Sequence, residues 1–135
     1  MKKKLPQIWN PKMGEVDYLT LMHLNINSVR NKTELLNYYI KTYNPHIILL
    51  NETKLDPTIN LDIVNYNIYR HDISNRQGGV AIGIKNNLTA TQNHIFSDKD
   101  QVVSIKLFNN NRDYVNIVSY YNPPSNYVNA ALFDR

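Results

Sequence analysis

The stretch of sequence that decides the fold is residues 45–55, which read PHIILLNETKL. Within it, the four large apolar residues 47–50 follow one another without interruption and lead into Asn51, Glu52 and Thr53. An apolar run of this length, placed directly after a helical pattern, is typical of a strand that is covered on both faces. The stretch therefore predicts a central strand with a polar cluster at its carboxyl end.

A strand and a helix are predicted ahead of this central strand. Residues 18–24 form an apolar-rich run of strand length, which ends in the polar segment 25–28. Asn31 is the expected helix N-cap, with Glu34 as its capping-box partner. Pro45 ends the helix, because the residue before a proline avoids the α-helical conformation. The apolar face of this helix is predicted to comprise Leu35, Leu36, Tyr39, Ile40 and Tyr43.

The order strand, helix, strand predicts a right-handed crossover between two parallel strands. The carboxyl ends of parallel strands meet at one edge of a sheet, and open α/β sheets bind ligands there. Residues 25–27 and residues 51–53 follow the two strands. We therefore expect these two polar clusters to converge on one site.

The remainder of the chain is predicted to be mainly β-structure. Strands are expected at residues 67–70, 80–84, 88–95, 102–108 and 114–121. Residues 127–135 have the pattern of a helix that begins, and residues 1–16 that of a flexible leader. One domain is therefore predicted over residues 17–135.

Composition excludes several kinds of site. The chain has no cysteine, which rules out disulfides, cysteine nucleophiles and thiolate zinc sites. The net charge is +4, but without Lys2, Lys3 and Lys4 the chain has 12 basic and 11 acidic residues. Nucleic-acid binding is compatible with this charge without following from it. No apolar run approaches the ~18 residues of a membrane span, so no membrane partner is expected.

Four segments, in order along the chain, carry a resemblance to a known family. They are residues 24–28 (LNINS), residues 45–55, Arg70 with residues 78–82 (GGVAI), and residues 117–124 (IVSYYNPP). Together they resemble the endonuclease domains of LINE-type (non-LTR) retrotransposons, in the endonuclease/exonuclease/phosphatase superfamily. The resemblance covers the N-terminal half of such a domain. It implies an α/β fold, a partial four-layer α/β sandwich of the DNase I-like type that is truncated after its first half.

The resemblance has a consequence for the core. Half of such a domain would supply one sheet and its outer helix, with an uncovered inner face lined by residues 47–50, 80–84 and 115–121. An open apolar sheet face favours association. The resemblance thus implies marginal stability, or self-association through the unpaired sheet face.

The resemblance also assigns a catalytic site. Glu52 is the implied principal protein ligand of a catalytic Mg²⁺ (or Mn²⁺), a hard cation that keeps several waters and takes one or two carboxylates. Asn27 is implied beside the metal, and Tyr121 beside the scissile phosphate. Asn25 is an alternative to Asn27, because their spacing puts both on the same side of an extended segment. Tyr120 is an alternative to Tyr121, and because it faces the opposite side of the strand, only one of the two can point into the site.

Three arginines are candidates for contacts to DNA phosphates, with which arginine forms bidentate hydrogen bonds. They are Arg30, Arg70 and Arg76. For each of them, a solvated surface position is the alternative interpretation.

The implied activity is metal-dependent nicking of DNA by an intracellular protein, nuclear if it acts on genomic DNA. A reverse transcriptase domain in a parent polyprotein is the implied partner. Two motifs that complete the site in this family, Gly-Asp-x-Asn and Ser-Asp-His, do not occur in the sequence. We therefore expect the chain alone to be weakly active or inactive. The alternatives are a non-catalytic remnant that binds nucleic acid weakly through its lysine-rich tail, and a lipid or inositol phosphate phosphodiesterase of the same superfamily.

Overall fold

The computed structural model describes residues 2–4, 18–73, 77–93 and 100–123. These residues form one α-helix, one short 3₁₀ turn at Val29–Asn31 and eight strands. The helix is α1 (Thr33–Tyr43), and the strands are β1 (Lys2–Lys4), β2 (Thr20–Asn25), β3 (Ile47–Asn51), β4 (Tyr66–His71), β5 (Val80–Lys85), β6 (Thr89–Gln92), β7 (Val102–Phe108) and β8 (Tyr114–Tyr120).

The predicted strand–helix–strand unit is confirmed. β2 and β3 are parallel, and their register runs from Leu21 opposite Ile47 to Asn25 opposite Asn51. They belong to a five-stranded sheet of order β1-β2-β3-β5-β4, in which β5 is antiparallel to both β3 and β4. The central position of β3 follows from its apolar sequence, which can be accommodated only where both faces are covered.

A second sheet packs on the first. β6, β7 and β8 form an antiparallel sheet in that order. Apolar side chains of both sheets meet in an inner core, which consists of Leu19, Ile47, Leu49, Val80, Ile82, Ile84, Leu88, Val103, Ile105, Leu107 and Ile117. An outer core lies on the other face of the first sheet and consists of Met22, Ile26, Val29, Leu36, Ile48, Leu50, Leu55, Ile63, Tyr66 and Ala81.

The two cores explain the uninterrupted apolar run in β3. Successive side chains of a strand point to opposite faces of the sheet. Ile47 and Leu49 accordingly enter the inner core, whereas Ile48 and Leu50 enter the outer core. All five residues of β3 are buried as a result.

The expectation of an uncovered inner sheet face was wrong. Residues 115–120 do not line the first sheet; they belong to β8, and with β6 and β7 they build the second sheet. This sheet covers the inner face of β3 and β5, and the side chain of Ile105 between them is fully buried. The proposed cause of self-association, an unpaired face of the first sheet, is therefore absent from the described part of the chain.

The start of the helix differs from the prediction. Asn31 is not the N-cap, because it belongs to the 3₁₀ turn, and α1 begins after Lys32. Lys32 makes no side-chain capping bond. At the other end, Asn44 adopts the left-handed conformation and its N–H bonds to the carbonyl of Ile40, as is common at helix C-termini.

The buried stripe of α1 is narrower than predicted. Leu36 is fully buried in the outer core, and Tyr39 and Ile40 pack against that core. Leu35 and Tyr43 are 43% and 37% exposed, so they do not belong to the buried face. A single helix on a sheet face presents only one stripe to the core, and these two side chains lie at its margins.

The predicted leader includes a short strand. Lys2–Lys4 pair antiparallel with β2, whose outer edge offers unpaired main-chain N–H and C=O groups. The flexible leader as a whole stays a prediction, because residues 5–16 lie outside the described part of the chain. The predicted domain boundary at residue 17 and the helix at residues 127–135 lie outside the described residues. Of the helical segments that the structure describes, none is long and apolar enough to cross a membrane.

Candidate active site

The carboxyl ends of β2 and β3 meet, as predicted, and the chain stays paired beyond them. Three main-chain bonds extend the parallel pairing: Ile26 N–H to Asn51 O (3.0 Å), Ser28 N–H to Glu52 O (2.8 Å) and Val29 N–H to Thr53 O (3.1 Å). These bonds align the two polar clusters side by side. The site therefore rests on main-chain hydrogen bonds rather than on loose loops.

The backbone is unusual at this edge of the sheet. Asn27, Ser28, Glu52 and Lys54 all have positive φ angles, of 46°, 76°, 55° and 54°. Residues other than glycine adopt this left-handed conformation at a cost of about 1–3 kcal/mol each, and such residues cluster at functional sites. The main-chain pairing described above holds them in place. This concentration of positive φ angles makes the edge a candidate functional site.

Gly78 and Gly79 support the turn that carries Glu52. Lys54 N–H donates to the carbonyl of Gly78 at 2.8 Å, and Thr53 N–H donates to that of Gly79 at 3.3 Å. Gly79 has a φ of +100°, and a Cβ there would lie 2.5 Å from Thr53 Oγ1. Only glycine combines this backbone conformation with so close an approach. In the sequence the two glycines stood out only as part of segment 78–82, which carries the family resemblance.

The side chain of Glu52 is held by Tyr121. The Tyr121 hydroxyl donates a hydrogen bond of 2.8 Å to Glu52 Oε1. Tyr121 is itself fixed through its N–H, which donates to the carbonyl of Gln101 at 2.9 Å. Of the two tyrosines considered, the structure thus places Tyr121 at Glu52.

Asn51 connects the end of β8 with the end of β3. Its amide Nδ2 donates to the carbonyl of Tyr120 at 3.4 Å, and its Oδ1 accepts from the hydroxyl of Ser119 at 3.2 Å. Asn51 and Ser119 are both buried between the two sheets. This connection sets the position of Tyr121 relative to Glu52. Apart from the polar residues at the strand ends, nothing in the sequence pointed to it.

The surroundings favour the ionised form of Glu52. Its pKa is lowered chiefly by the hydrogen bond from Tyr121, and further by hydrogen bonding from the Asn25 side chain and by the charges of Lys54 and Lys32. Partial burial acts in the opposite direction. The pKa of the Tyr121 hydroxyl is raised, first by its hydrogen bond to Glu52. At neutral pH the pair therefore consists of a carboxylate and a protonated phenol.

The two candidate asparagines have different partners. The Asn25 side chain stabilises the Glu52 carboxylate, whereas Asn27 Oδ1 accepts a hydrogen bond of 2.7 Å from Lys54 Nζ. Asn25 therefore acts on Glu52 directly, whereas the Asn27 side chain is engaged by Lys54, and the choice of Asn27 as the site residue stays a prediction. The left-handed backbone at Asn27 takes the chain off the extended path on which the two side chains would share one side.

Arg70 is engaged within the fold. Its Nε and Nη2 donate to the carboxylate of Asp72, at 3.0 and 2.7 Å. Its Nη1 donates to the carbonyl of Ile59 at 2.7 Å, and Nη2 also donates to that of Asp56 at 2.8 Å. These bonds join β4 to the loop that follows Glu52. A contact of Arg70 with nucleic acid therefore gains no support from its geometry.

The structure neither supports nor opposes a nucleic-acid contact by the other two candidate arginines. Arg30 is exposed in the 3₁₀ turn, next to the polar segment that follows β2. Arg76 lies outside the described residues. A nucleic-acid contact by either one stays a prediction.

The donor set at this edge suits a hard cation. Among the described residues, no group of three or more His, Cys, Asp or Glu side chains is placed to bind a metal ion. Glu52 is an ionised carboxylate with the side-chain amides of Asn25 and Asn27 nearby. Mg²⁺ is commonly held by one or two carboxylates together with several waters, so these residues fit it.

Comparison with known proteins agrees with this fold. Residues 22–134 match the sequence profile described as the Endonuclease/Exonuclease/phosphatase family, and the chain belongs to that family. No curated protein matches the sequence. The predicted family and the DNase I-like α/β fold are confirmed.

Two solved structures resemble this chain. The endonuclease domain of TRAS1, a telomere-specific non-LTR retrotransposon, has 16% sequence identity and a TM-score of 0.63, and the match covers 84% of this chain and 50% of that one. The AP endonuclease LMAP from Leishmania major has 18% identity and a TM-score of 0.59, with 75% and 39% covered. At these identities the likeness concerns the fold. The chain spans half of the first structure's length and less than half of the second's.

Proposed function

We propose that this chain supplies the metal-binding part of the active site of a Mg²⁺- or Mn²⁺-dependent phosphodiesterase that nicks DNA. The observation that carries the proposal is the ionised Glu52 at the carboxyl end of β3, held by the Tyr121 hydroxyl at 2.8 Å. Membership of the Endonuclease/Exonuclease/phosphatase family supports phosphodiester hydrolysis. The DNA substrate is inferred from the two structural relatives, which are named as endonucleases.

Each residue at the site would have a distinct role in metal and phosphate binding. Glu52 would hold the cation, with Asn25 and Asn27 close by as sources of amide oxygens. When bound, the cation neutralises phosphate charge and stabilises the leaving oxygen. The Tyr121 hydroxyl stays protonated because Glu52 accepts its proton in a hydrogen bond. It therefore orients the carboxylate. Because the phenol has a single O–H, it would donate to a phosphate at this edge only after giving up its bond to Glu52.

The chain alone is expected to nick DNA weakly or not at all. The Gly-Asp-x-Asn and Ser-Asp-His motifs, which would supply the acid–base side of the reaction, do not occur in its sequence. Loss of a positioned acid or base commonly lowers the rate by a factor of about 10²–10⁴. Metal binding, in contrast, depends on residues that the chain does contain.

Two measurements test this proposal. Electron paramagnetic resonance of free Mn²⁺ should show that the 135-residue chain binds Mn²⁺ and that Glu52→Gln abolishes the binding. A supercoiled-plasmid assay with Mg²⁺ should show little or no nicking by either protein. Robust nicking that Glu52→Gln removes would overturn the claim of inactivity. Mn²⁺ binding that is indifferent to Glu52 would overturn the metal site.

The non-catalytic alternative has a different signature. A protein that only binds nucleic acid would show salt-dependent DNA binding with no dependence on divalent metal. No described residue specifically favours this alternative, nor the lipid or inositol phosphate phosphodiesterase. A reverse transcriptase domain as partner, and a nuclear location, follow from the retrotransposon resemblance and belong to the proposal.

A further inference from the structure

Two lysine ammonium groups lie on oxygen atoms at the proposed metal site. Lys54 Nζ donates to Asn27 Oδ1 at 2.7 Å. Lys32 Nζ donates to the main-chain carbonyls of Ile26 and Asn27, at 2.7 and 2.6 Å. The positive charges of both ammonium groups also lower the pKa of Glu52. The oxygens that a hard cation prefers are thus in contact with internal cations.

The two lysines differ in the kind of oxygen atom that accepts their hydrogen bonds. Lys32 bonds to carbonyls of the left-handed turn at Asn27, so it stabilises backbone conformation. Lys54 bonds to a side-chain oxygen, and this bond is exposed to solvent. An exposed bond of this kind contributes little free energy, and the long lysine stem lets the ammonium move. Lys54 can therefore leave Asn27 without disturbing the turn.

We propose that Lys54 is an internal counter-cation, which occupies Asn27 Oδ1 and competes with the divalent metal for the site at Glu52. This inference rests on the proposed metal site. In this account Lys54 is neither a metal ligand nor a catalytic residue. It sets the metal affinity, because binding of the cation requires the Lys54 ammonium to withdraw from Asn27 Oδ1.

The physical reason is repulsion between like charges. An ammonium within about 5 Å of a divalent cation opposes its binding by an energy that is appreciable even in a solvated site. Salt screens part of this repulsion. Removal of the charge at Lys54 should therefore tighten metal binding about threefold to tenfold at moderate ionic strength. The alternative is that Lys54 merely holds Asn27 in position as a metal ligand. In that case, removal of Lys54 would weaken metal binding.

The matched control is a second lysine–asparagine pair in the same chain. Lys85 Nζ donates to Asn44 Oδ1 at 2.5 Å. Lys85 lies at the opposite end of the sheet, where its N–H bonds to the carbonyl of His46, just before β3 begins. Lys85→Met removes the same charge and the same kind of hydrogen bond, far from Glu52.

The experiment is a Mn²⁺ titration of the full 135-residue chain, followed by electron paramagnetic resonance. Lys54→Met and Lys54→Gln should both bind Mn²⁺ about threefold to tenfold more tightly than the wild type, whereas Lys85→Met should not differ from it. Glutamine keeps a donor for Asn27 but carries no charge, so agreement between the two variants identifies charge as the cause. Circular dichroism checks that each variant is folded.

Several results would overturn the inference. An unchanged or weaker affinity in Lys54→Met and Lys54→Gln contradicts competition, and weakening in Lys54→Met alone indicates a purely structural bond. Equal tightening in Lys85→Met indicates an effect of net charge. In all of these cases Glu52→Gln still abolishes binding. If Glu52→Gln binds Mn²⁺ like the wild type, the proposed metal site fails, and the inference fails with it.

Discussion

The hydroxyl of Tyr121 donates a hydrogen bond of 2.8 Å to the carboxylate of Glu52, and the two residues come from different sheets. Glu52 directly follows β3 of the first sheet, and Tyr121 directly follows β8 of the second. The pair therefore forms only when the two sheets have packed through the inner core. Folding and assembly of the candidate site are one event.

This relationship predicts a pH-dependent effect of Tyr121→Phe. The hydrogen bond from Tyr121 is the largest cause of the lowered pKa of Glu52, so the variant should have a Glu52 pKa closer to the ordinary value of 4.5. A carboxyl group with a lowered pKa stabilises the fold above its ordinary pKa, and this contribution is lost as pH falls through the lowered value. The stability difference between the wild type and Tyr121→Phe should therefore be larger near pH 7 than near pH 3. Urea unfolding without metal, at both pH values, measures it; an equal difference at both would contradict the prediction.

Gly79→Ala should destabilise the fold by about 1–3 kcal/mol or more, because it combines a positive φ with a close contact. The added Cβ would lie 2.5 Å from Thr53 Oγ1, a buried atom in the turn that carries Glu52. Gly78→Ala is the control, since its Cβ would meet the end of the flexible Gln101 side chain and its φ is not positive. Urea denaturation should rank Gly79→Ala as the less stable variant. The reverse order would show that the Gln101 contact matters more than the backbone of Gly79.

Thr53→Val should leave the stability unchanged or raise it by about 1 kcal/mol. The Thr53 hydroxyl is buried and has no hydrogen-bond partner within the described part of the chain. Thr20→Val is the matched comparison, because the Thr20 hydroxyl contacts His46 Nδ1 at 3.1 Å and accepts from His46 N–H at 3.3 Å. Thr20→Val should lower the stability by about 1 kcal/mol. A loss in Thr53→Val as large as that in Thr20→Val would show that the Thr53 hydroxyl has a partner.

Arg70→Lys should destabilise the protein by about 1–3 kcal/mol without a separate effect on DNA binding. The guanidinium bonds to Asp72 and to two carbonyls of the loop after Glu52, and the Arg70 and Asp72 side chains are 21% and 11% exposed. Lysine cannot reproduce this set of planar bonds. Thermal unfolding and DNA binding at fixed salt distinguish the roles. Unchanged stability with reduced DNA affinity would restore Arg70 as a nucleic-acid contact.

The sequence predicted the parts of the fold that depend on local pattern. The apolar run 47–50 and the polar clusters at the ends of β2 and β3 reflect which side chains must be buried. These patterns placed Glu52 and Tyr121 at strand ends. They did not show that β6, β7 and β8 leave the first sheet and cover it, because sheet membership depends on contacts between distant residues.

Details of the candidate site depend on local backbone geometry that the sequence does not reveal. Asn27 was preferred to Asn25 on the family resemblance, and neither the left-handed backbone at Asn27 nor the hydrogen bonding of Asn25 to Glu52 was foreseen. Lys54 was overlooked as part of the site. In the sequence, the only indication that Lys54 belongs to the site was its position two residues after Glu52. Its partner Asn27 follows a different strand, so their hydrogen bond depends on how β2 and β3 pair.

The most direct test of the central claim is to locate Mn²⁺ on the chain by paramagnetic broadening of amide resonances. Substoichiometric Mn²⁺ should selectively broaden the signals of residues 25–28, 51–54 and 121, and Glu52→Gln should abolish the broadening. Glu34→Gln, which removes an exposed carboxylate from the first turn of α1, should not change it. Broadening centred elsewhere, or unaffected by Glu52→Gln, would contradict the assignment of Glu52 as the metal ligand.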